Sequence, residues 1–182
     1  MSWSRIARRI RVPLGFVLAA LFLWLAHPTP VSLGVGAAIA FAGVAIRAAA
    51  SGHITKNAQL TTSGPYAHTR NPLYLGSMVL AAGLAIAARS WWIALVLMLV
   101  FIVIYVPVIR DEEAYLRARF PEFDAYARSV PRLLPALRPR GENAGGGGFS
   151  RELYLRHREY NALIGTAALI AALVAKMIWM AR

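Results

Sequence analysis

The sequence predicts an all-α protein, a polytopic membrane helical bundle with about five transmembrane helices and cytoplasmic amphipathic helices. Three observations point there. First, 58% of the 182 residues are hydrophobic and only 15% are charged, against about 25% charged in an average soluble domain; mean hydropathy is +0.52. Second, apolar runs suited to crossing a hydrocarbon layer of about 30 Å recur along the chain. Third, the charges are gathered between those runs. Such a chain is neither an ordinary soluble domain nor disordered, since disorder needs low hydrophobicity. The absence of cysteine excludes disulfides, thiolate metal sites and a cysteine nucleophile. The four histidines (His27, His53, His68, His157) show no ligand spacing, so no metal site is expected.

Taken in order, Val12 to Ala26 is the first apolar run, closed by the breaker cluster His27-Pro28-Thr29-Pro30. Its Arg-rich start resembles that of a signal peptide, but Leu23-Trp24-Leu25-Ala26 lacks a small-x-small cleavage pattern, so the run reads as a span. Val31 to Ala50 is the second, interrupted by Arg47 near its end. Pro72 to Ala88 and Trp91 to Ile109 form a hairpin turned at Arg89-Ser90. Arg110 to Ser150 begins as a charged helix and breaks at Pro121, Pro131, Pro135 and Pro139, and Gly145 to Gly148 form a flexible linker. Arg151 to Tyr160 reads as a short amphipathic helix, with Glu152 and Arg156 at the favourable i,i+4 spacing. Asn161 to Met180 is the fifth span, with Lys176 close enough to its end to snorkel.

These readings divide the chain into a basic segment with the first span (1–30), a core (31–135), a Gly/Pro-rich linker (136–149) and an amphipathic helix with the last span (150–182). Charge sets the orientation. With the N-terminus inside, the cytoplasmic face holds Arg5, Arg8, Arg9, Arg11, Arg47, Lys56, Arg70 and the ten arginines from Arg110 to Arg158, which are 17 of the 20 Lys and Arg. The net charge of +12 is then mostly positive-inside bias and attraction to anionic lipid. The partner it implies is a lipid bilayer; no nucleic-acid or protein partner is expected.

Polar chemistry concentrates at two places on that face. In Ser63 to Gly76, Gly64-Pro65 makes a tight turn, Pro72 suits the first turn of a helix, and Asn71 is a natural N-cap. Arg70 at a helix N-terminus opposes the macrodipole and so calls for an anionic partner. Gly76, one turn in, allows close approach of a ligand or a neighbouring helix. On composition alone the stretch reads first as a membrane-surface turn with a snorkelling arginine and interfacial tyrosines. The second place is Asp111-Glu112-Glu113, where a helix leaves the bilayer. Glu112 and Glu113 lie about 100° apart on a helix, so one can face a neighbour while the other faces water. The plainer reading is a solvated helix with Glu113 supporting Arg117 at i,i+4. Pro107, one turn earlier, removes the hydrogen bond to the Val103 carbonyl, leaving either a structural kink or an opening for a cavity.

Together these places resemble the isoprenylcysteine carboxyl methyltransferase family and its relatives, the phospholipid N-methyltransferases. The first family signature, G-P-Y followed by R-H-P-x-Y-x-G, stands here as Gly64-Pro65-Tyr66 and Arg70-Asn71-Pro72-Leu73-Tyr74-Leu75-Gly76. The second, paired glutamates followed by Leu, Phe, Tyr and V-P-x-x-x-P, stands as Glu112-Glu113, Leu116, Phe120, Tyr126 and Val130 to Pro135. The usual histidine of R-H-P is Asn71, which retains a hydrogen-bonding or capping role but no imidazole chemistry. Bacterial members commonly end soon after V-P-x-x-x-P, whereas this chain continues.

The resemblance implies an integral-membrane enzyme that uses S-adenosylmethionine in a cytoplasm-facing pocket to methylate a lipid-like acceptor (carboxylate, amine or thiol) entering from the bilayer. It marks Gly64, Pro65, Tyr66, Arg70, Asn71, Tyr74, Gly76, Glu112 and Glu113 as cofactor-binding. Arg70 suits the cofactor's carboxylate, a glutamate its hydroxyls or amino group, and Tyr66 and Tyr74 its adenine or sulfonium. Arg70 also heads the catalytic candidates, with His53 and His68 as acid/base groups if the acceptor must lose a proton; each histidine reads otherwise as an ordinary interfacial residue. Two alternatives remain at this level: an NADPH-dependent membrane reductase of sterol-reductase type, and a non-catalytic lipid-binding membrane protein.

Overall fold

The computed structural model describes residues 19–54, 59–140 and 148–182. The basic N-terminal segment, most of the first apolar run, Lys56 and most of the glycine linker lie outside the described residues. What is described of the first run is helical over residues 19–25.

Helix α1, Pro30–Ser51, starts at a capping box: the Thr29 side chain accepts from the Ser32 N–H at 3.2 Å while the Ser32 hydroxyl accepts from the Thr29 N–H at 2.9 Å. Helix α2, Pro72–Ala88, runs antiparallel against it. The two backbones approach closely because the contact is made of small residues. A Cβ on Gly43 would lie 2.3 Å from the Leu80 nitrogen, and one on Gly36 2.3 Å from the Ala87 nitrogen. Gly83 and Gly76 have matching positions on α2, against Ala40 and Arg47. With no hydrophobic drive between helices in lipid, such close packing is a main source of association.

Helix α2 ends at Ala88, and Arg89 takes a left-handed conformation (φ 50°) before Ser90 opens α3, as the Arg89-Ser90 turn predicts. Helix α3 is continuous over Trp91–Arg119, with a π-helical turn at Phe101–Tyr105. Pro107 falls within the first turn of the α-helical part that follows, so the wide turn absorbs the hydrogen bond that proline cannot make. A short helix α4, Phe123–Ser129, precedes an extended segment. The predicted amphipathic helix Arg151–Tyr160 stops early: α5 covers only Arg151–Arg156, and α6, Tyr160–Met180, follows a bend at Arg158 (φ 55°).

Three of these helices, Pro30–Ser51, Trp91–Arg119 and Tyr160–Met180, are long and apolar enough to cross a membrane, and Pro72–Ala88 is a shorter apolar helix. At one end of the bundle, Ala26, Leu33, Ala87, Ala88, Ile93 and Leu173 form a buried apolar cluster. There Lys176 does more than snorkel. Its Nζ donates to the carbonyls of Leu23, Trp24 and Ala26 at 2.6, 3.1 and 2.6 Å, closing the end of the helix over residues 19–25 as a C-terminal cation does.

Candidate functional site

The opposite end is built where the two signature segments meet. Gly64–Ala67 forms a single 3-10 turn with Gly64 at φ 57°. A Cβ there would sit 2.4 Å from the His53 ring, so glycine meets both a backbone and a space requirement. Beyond α4 the chain returns alongside this turn. Arg70 N–H donates to Pro131 O (2.9 Å), Ala136 N–H to His68 O (2.8 Å) and Arg140 N–H to Ala67 O (2.8 Å). The buried Thr69 hydroxyl adds bonds to Arg132 O and Leu133 O. Tyr126 OH, from α4, donates to Tyr66 O at 2.7 Å.

Glu113, 3% exposed, is the electrostatic centre. Its carboxylate meets Arg132 Nη2 at 2.8 Å, Arg70 Nη1 at 3.5 Å and Asn71 Nδ2 at 3.3 Å. Arg70 thus has the anionic partner its position calls for. Two expectations are corrected. Asn71 occupies the cap position, but its side chain makes no capping bond; Nδ2 is directed to Glu113 and to Arg132 O (2.9 Å). Arg117 pairs with Asp124 at 2.8 Å, because Glu113 points inward. Glu112 is exposed, as the helical offset predicts, and accepts from Tyr74 OH at 2.9 Å.

Around these groups lies a cavity of about 370 Å³, within the usual range for small-molecule sites. Tyr66, Arg70, Asn71, Tyr74, Glu112 and Glu113 all line it, together with Tyr105, Leu116, Phe120, Phe123 and Tyr126. Among the described residues two buried polar atoms are left without partners: the Tyr66 hydroxyl and Arg70 Nε. Buried polar groups are normally satisfied, so both are poised for a ligand. Burial, then the charge of Glu112, pushes the Tyr66 phenol far above its ordinary range. Burial does the same to Tyr126. Both phenols stay protonated at neutral pH.

The remaining candidates stand outside the lining. Gly64 and Pro65 shape the turn, and Gly76 packs against Arg47 and the Gly43 carbonyl. His53 Nδ1 is bonded to Ala49 O at 2.7 Å and His68 Nδ1 to Ala136 O at 2.8 Å. Neither ring is among the residues that line the cavity.

Sequence reasoning missed Arg47 and Glu159, which also line the cavity. Arg47, placed merely near a span's end, forms a forked pair with Glu159, Nη2 to Oε1 at 2.8 Å and Nε to Oε2 at 3.1 Å. Its Nη1 turns to Ser77 Oγ and to Leu73 O. Glu159 follows Arg158, whose left-handed backbone costs about 1–2 kcal/mol in a residue with a Cβ. The cavity therefore draws a side chain from the C-terminal extension. The interrupted charge of Arg47 within an apolar run was the one available signal; nothing in the sequence tied it to Glu159.

The sequence model of the phospholipid methyltransferase family matches residues 10–122, more than half of the chain, and the protein belongs to that family. Over 82 residues it is 43% identical to the nickel-cobalt-cadmium resistance protein NccN of Alcaligenes xylosoxydans xylosoxydans, and equally to the cobalt-zinc-cadmium resistance protein CzcN of Cupriavidus metallidurans. The aligned stretch is 45% of this chain and only 38% of either relative. No solved structure matches significantly.

Proposed function

We propose that the protein transfers a methyl group from S-adenosylmethionine to a lipid-like acceptor that reaches the cavity from the bilayer, at the cytoplasmic face. The observation that carries this reading is the cavity in which both family motifs converge and in which the Tyr66 hydroxyl and Arg70 Nε are buried without partners. The lining fits the cofactor's chemistry: a guanidinium for a carboxylate, carboxylates for hydroxyl and amino groups, aromatic rings for adenine and a cation. Among the described residues no three His, Cys, Asp or Glu gather as a metal site, so the reading rests on the family and the cavity.

When bound, the cofactor supplies a methyl group already activated on a sulfonium. The protein's task is then positioning and exclusion of water. Arg70, held by Glu113, keeps Nε free for an anionic group. Glu112 accepts hydrogen bonds at the open side, while Leu116, Phe120 and Phe123 wall off solvent. An acceptor that must lose a proton meets carboxylate oxygens in this cavity rather than an imidazole.

Purified full-length protein incubated with native lipid extract and methyl-labelled cofactor is expected to label a lipid. Unlabelled lipid together with no cofactor binding would falsify the reading. Orientation is tested by a reporter fused after Arg182, expected to be active only outside, given the charge asymmetry.

A further inference from the structure

The cavity lining carries three carboxylates, Glu112, Glu113 and Glu159, against two guanidiniums, Arg47 and Arg70. Glu113 is matched by Arg70 and Arg132. Glu112 and Glu159 line the same cavity as the Tyr66 phenol, and against these two carboxylates stands the single guanidinium of Arg47, paired with Glu159. The Tyr66 hydroxyl is that of a residue only 7% exposed, and it has no partner. Arg47 is fixed to α2 through Ser77 and the Leu73 carbonyl, so it holds Glu159 at the wall. Each carboxylate retains acceptor capacity beyond the bonds it makes.

We propose that the space before the Tyr66 hydroxyl, in the cavity that Glu112 and Glu159 also line, is a subsite for an ammonium group, and that Glu159 of the C-terminal extension is one of its ligands. An ammonium has three N–H donors, and the subsite offers a phenol oxygen and two carboxylates. A sulfonium has no N–H and leaves the hydroxyl unsatisfied. This rests on the methyltransferase reading and deepens it. The extension, which lies beyond the residues matched by the family, thereby becomes part of the binding site. The ammonium has two possible sources, the amino group of the cofactor or an amine carried by the acceptor.

The test is calorimetric titration of the full-length protein in detergent with four probes: S-adenosylhomocysteine, its desamino counterpart, dodecylamine and dodecanol. Glu159→Gln is expected to weaken at least one amine by about tenfold while its deaminated counterpart binds as before, which also reports intact folding. Tyr66→Phe is expected to weaken the same amine about threefold. Selective loss of S-adenosylhomocysteine assigns the subsite to the cofactor; selective loss of dodecylamine assigns it to a membrane-borne acceptor. Equal loss for amine and counterpart, or no loss with either variant, overturns the proposal while leaving the methyltransferase reading intact. Wild-type protein that binds none of the four overturns both.

Discussion

The two ends of the helical bundle solve opposite problems. At the Lys176 end, apolar side chains fill the contact, His27 N–H bonds the Ala88 carbonyl at 2.8 Å, and the ammonium ties down three carbonyls at a helix terminus. At the other end, ion pairs surround a cavity and two polar atoms remain unsatisfied. Sealed polar groups contribute stability. Unsatisfied ones forgo part of it and leave binding capacity. Stability and ligand affinity are therefore expected to separate along the bundle axis.

Four substitutions test that separation. The largest effect is expected midway, at the helix contact both ends depend on. Gly43→Val places carbon against backbone with no room to move. It is expected to cost more than about 3 kcal/mol, seen as loss of monodisperse protein in detergent. Glu113→Gln removes the anion between two guanidiniums. Arg132 can turn to water, but Arg70, 12% exposed, cannot. A loss of about 2–3 kcal/mol is expected, with a lower thermal midpoint and weaker S-adenosylhomocysteine binding together.

Lys176→Met orphans the carbonyls of Leu23, Trp24 and Ala26. It is expected to cost about 1–2 kcal/mol, read from thermal unfolding, with ligand affinity unchanged. Glu112→Gln, at an exposed residue, is expected to do the reverse: affinity falls about fivefold, near 1 kcal/mol, while the unfolding midpoint stays put. If Lys176→Met weakened binding as much as Glu112→Gln, the ends would be one cooperative unit and the comparison would fail.

Legibility in the sequence followed the range of the interactions. Apolar runs and the Arg89-Ser90 turn are local, and they marked the helices well. That one of Glu112 and Glu113 turns inward follows from helical geometry; which one does so is set by the distant Arg70 and Arg132. Asn71 was placed correctly at the helix start, yet its partners Glu113 and Arg132 lie far along the chain, and no local rule could divert it from capping. Glycines 36, 43, 76 and 83 were open to reading as a close-packed stripe, but only the facing helix gives that stripe meaning. Nothing local singles out Glu159, because the linker before it hides any fixed relation to Arg47.

A π-helical turn holds one residue more than the α-helical turn it replaces, so Phe101–Tyr105 behaves as a single-residue insertion stored inside an unbroken helix. It resets the phase of everything downstream by about 100°. The bilayer-facing half and the carboxylate-bearing half of that helix can thus be aimed independently. Deleting one residue there would leave hydropathy and helicity nearly unchanged, yet turn Glu113 away from Arg70. The aim of the glutamates is thus set by a count of residues after the hairpin rather than by their identity.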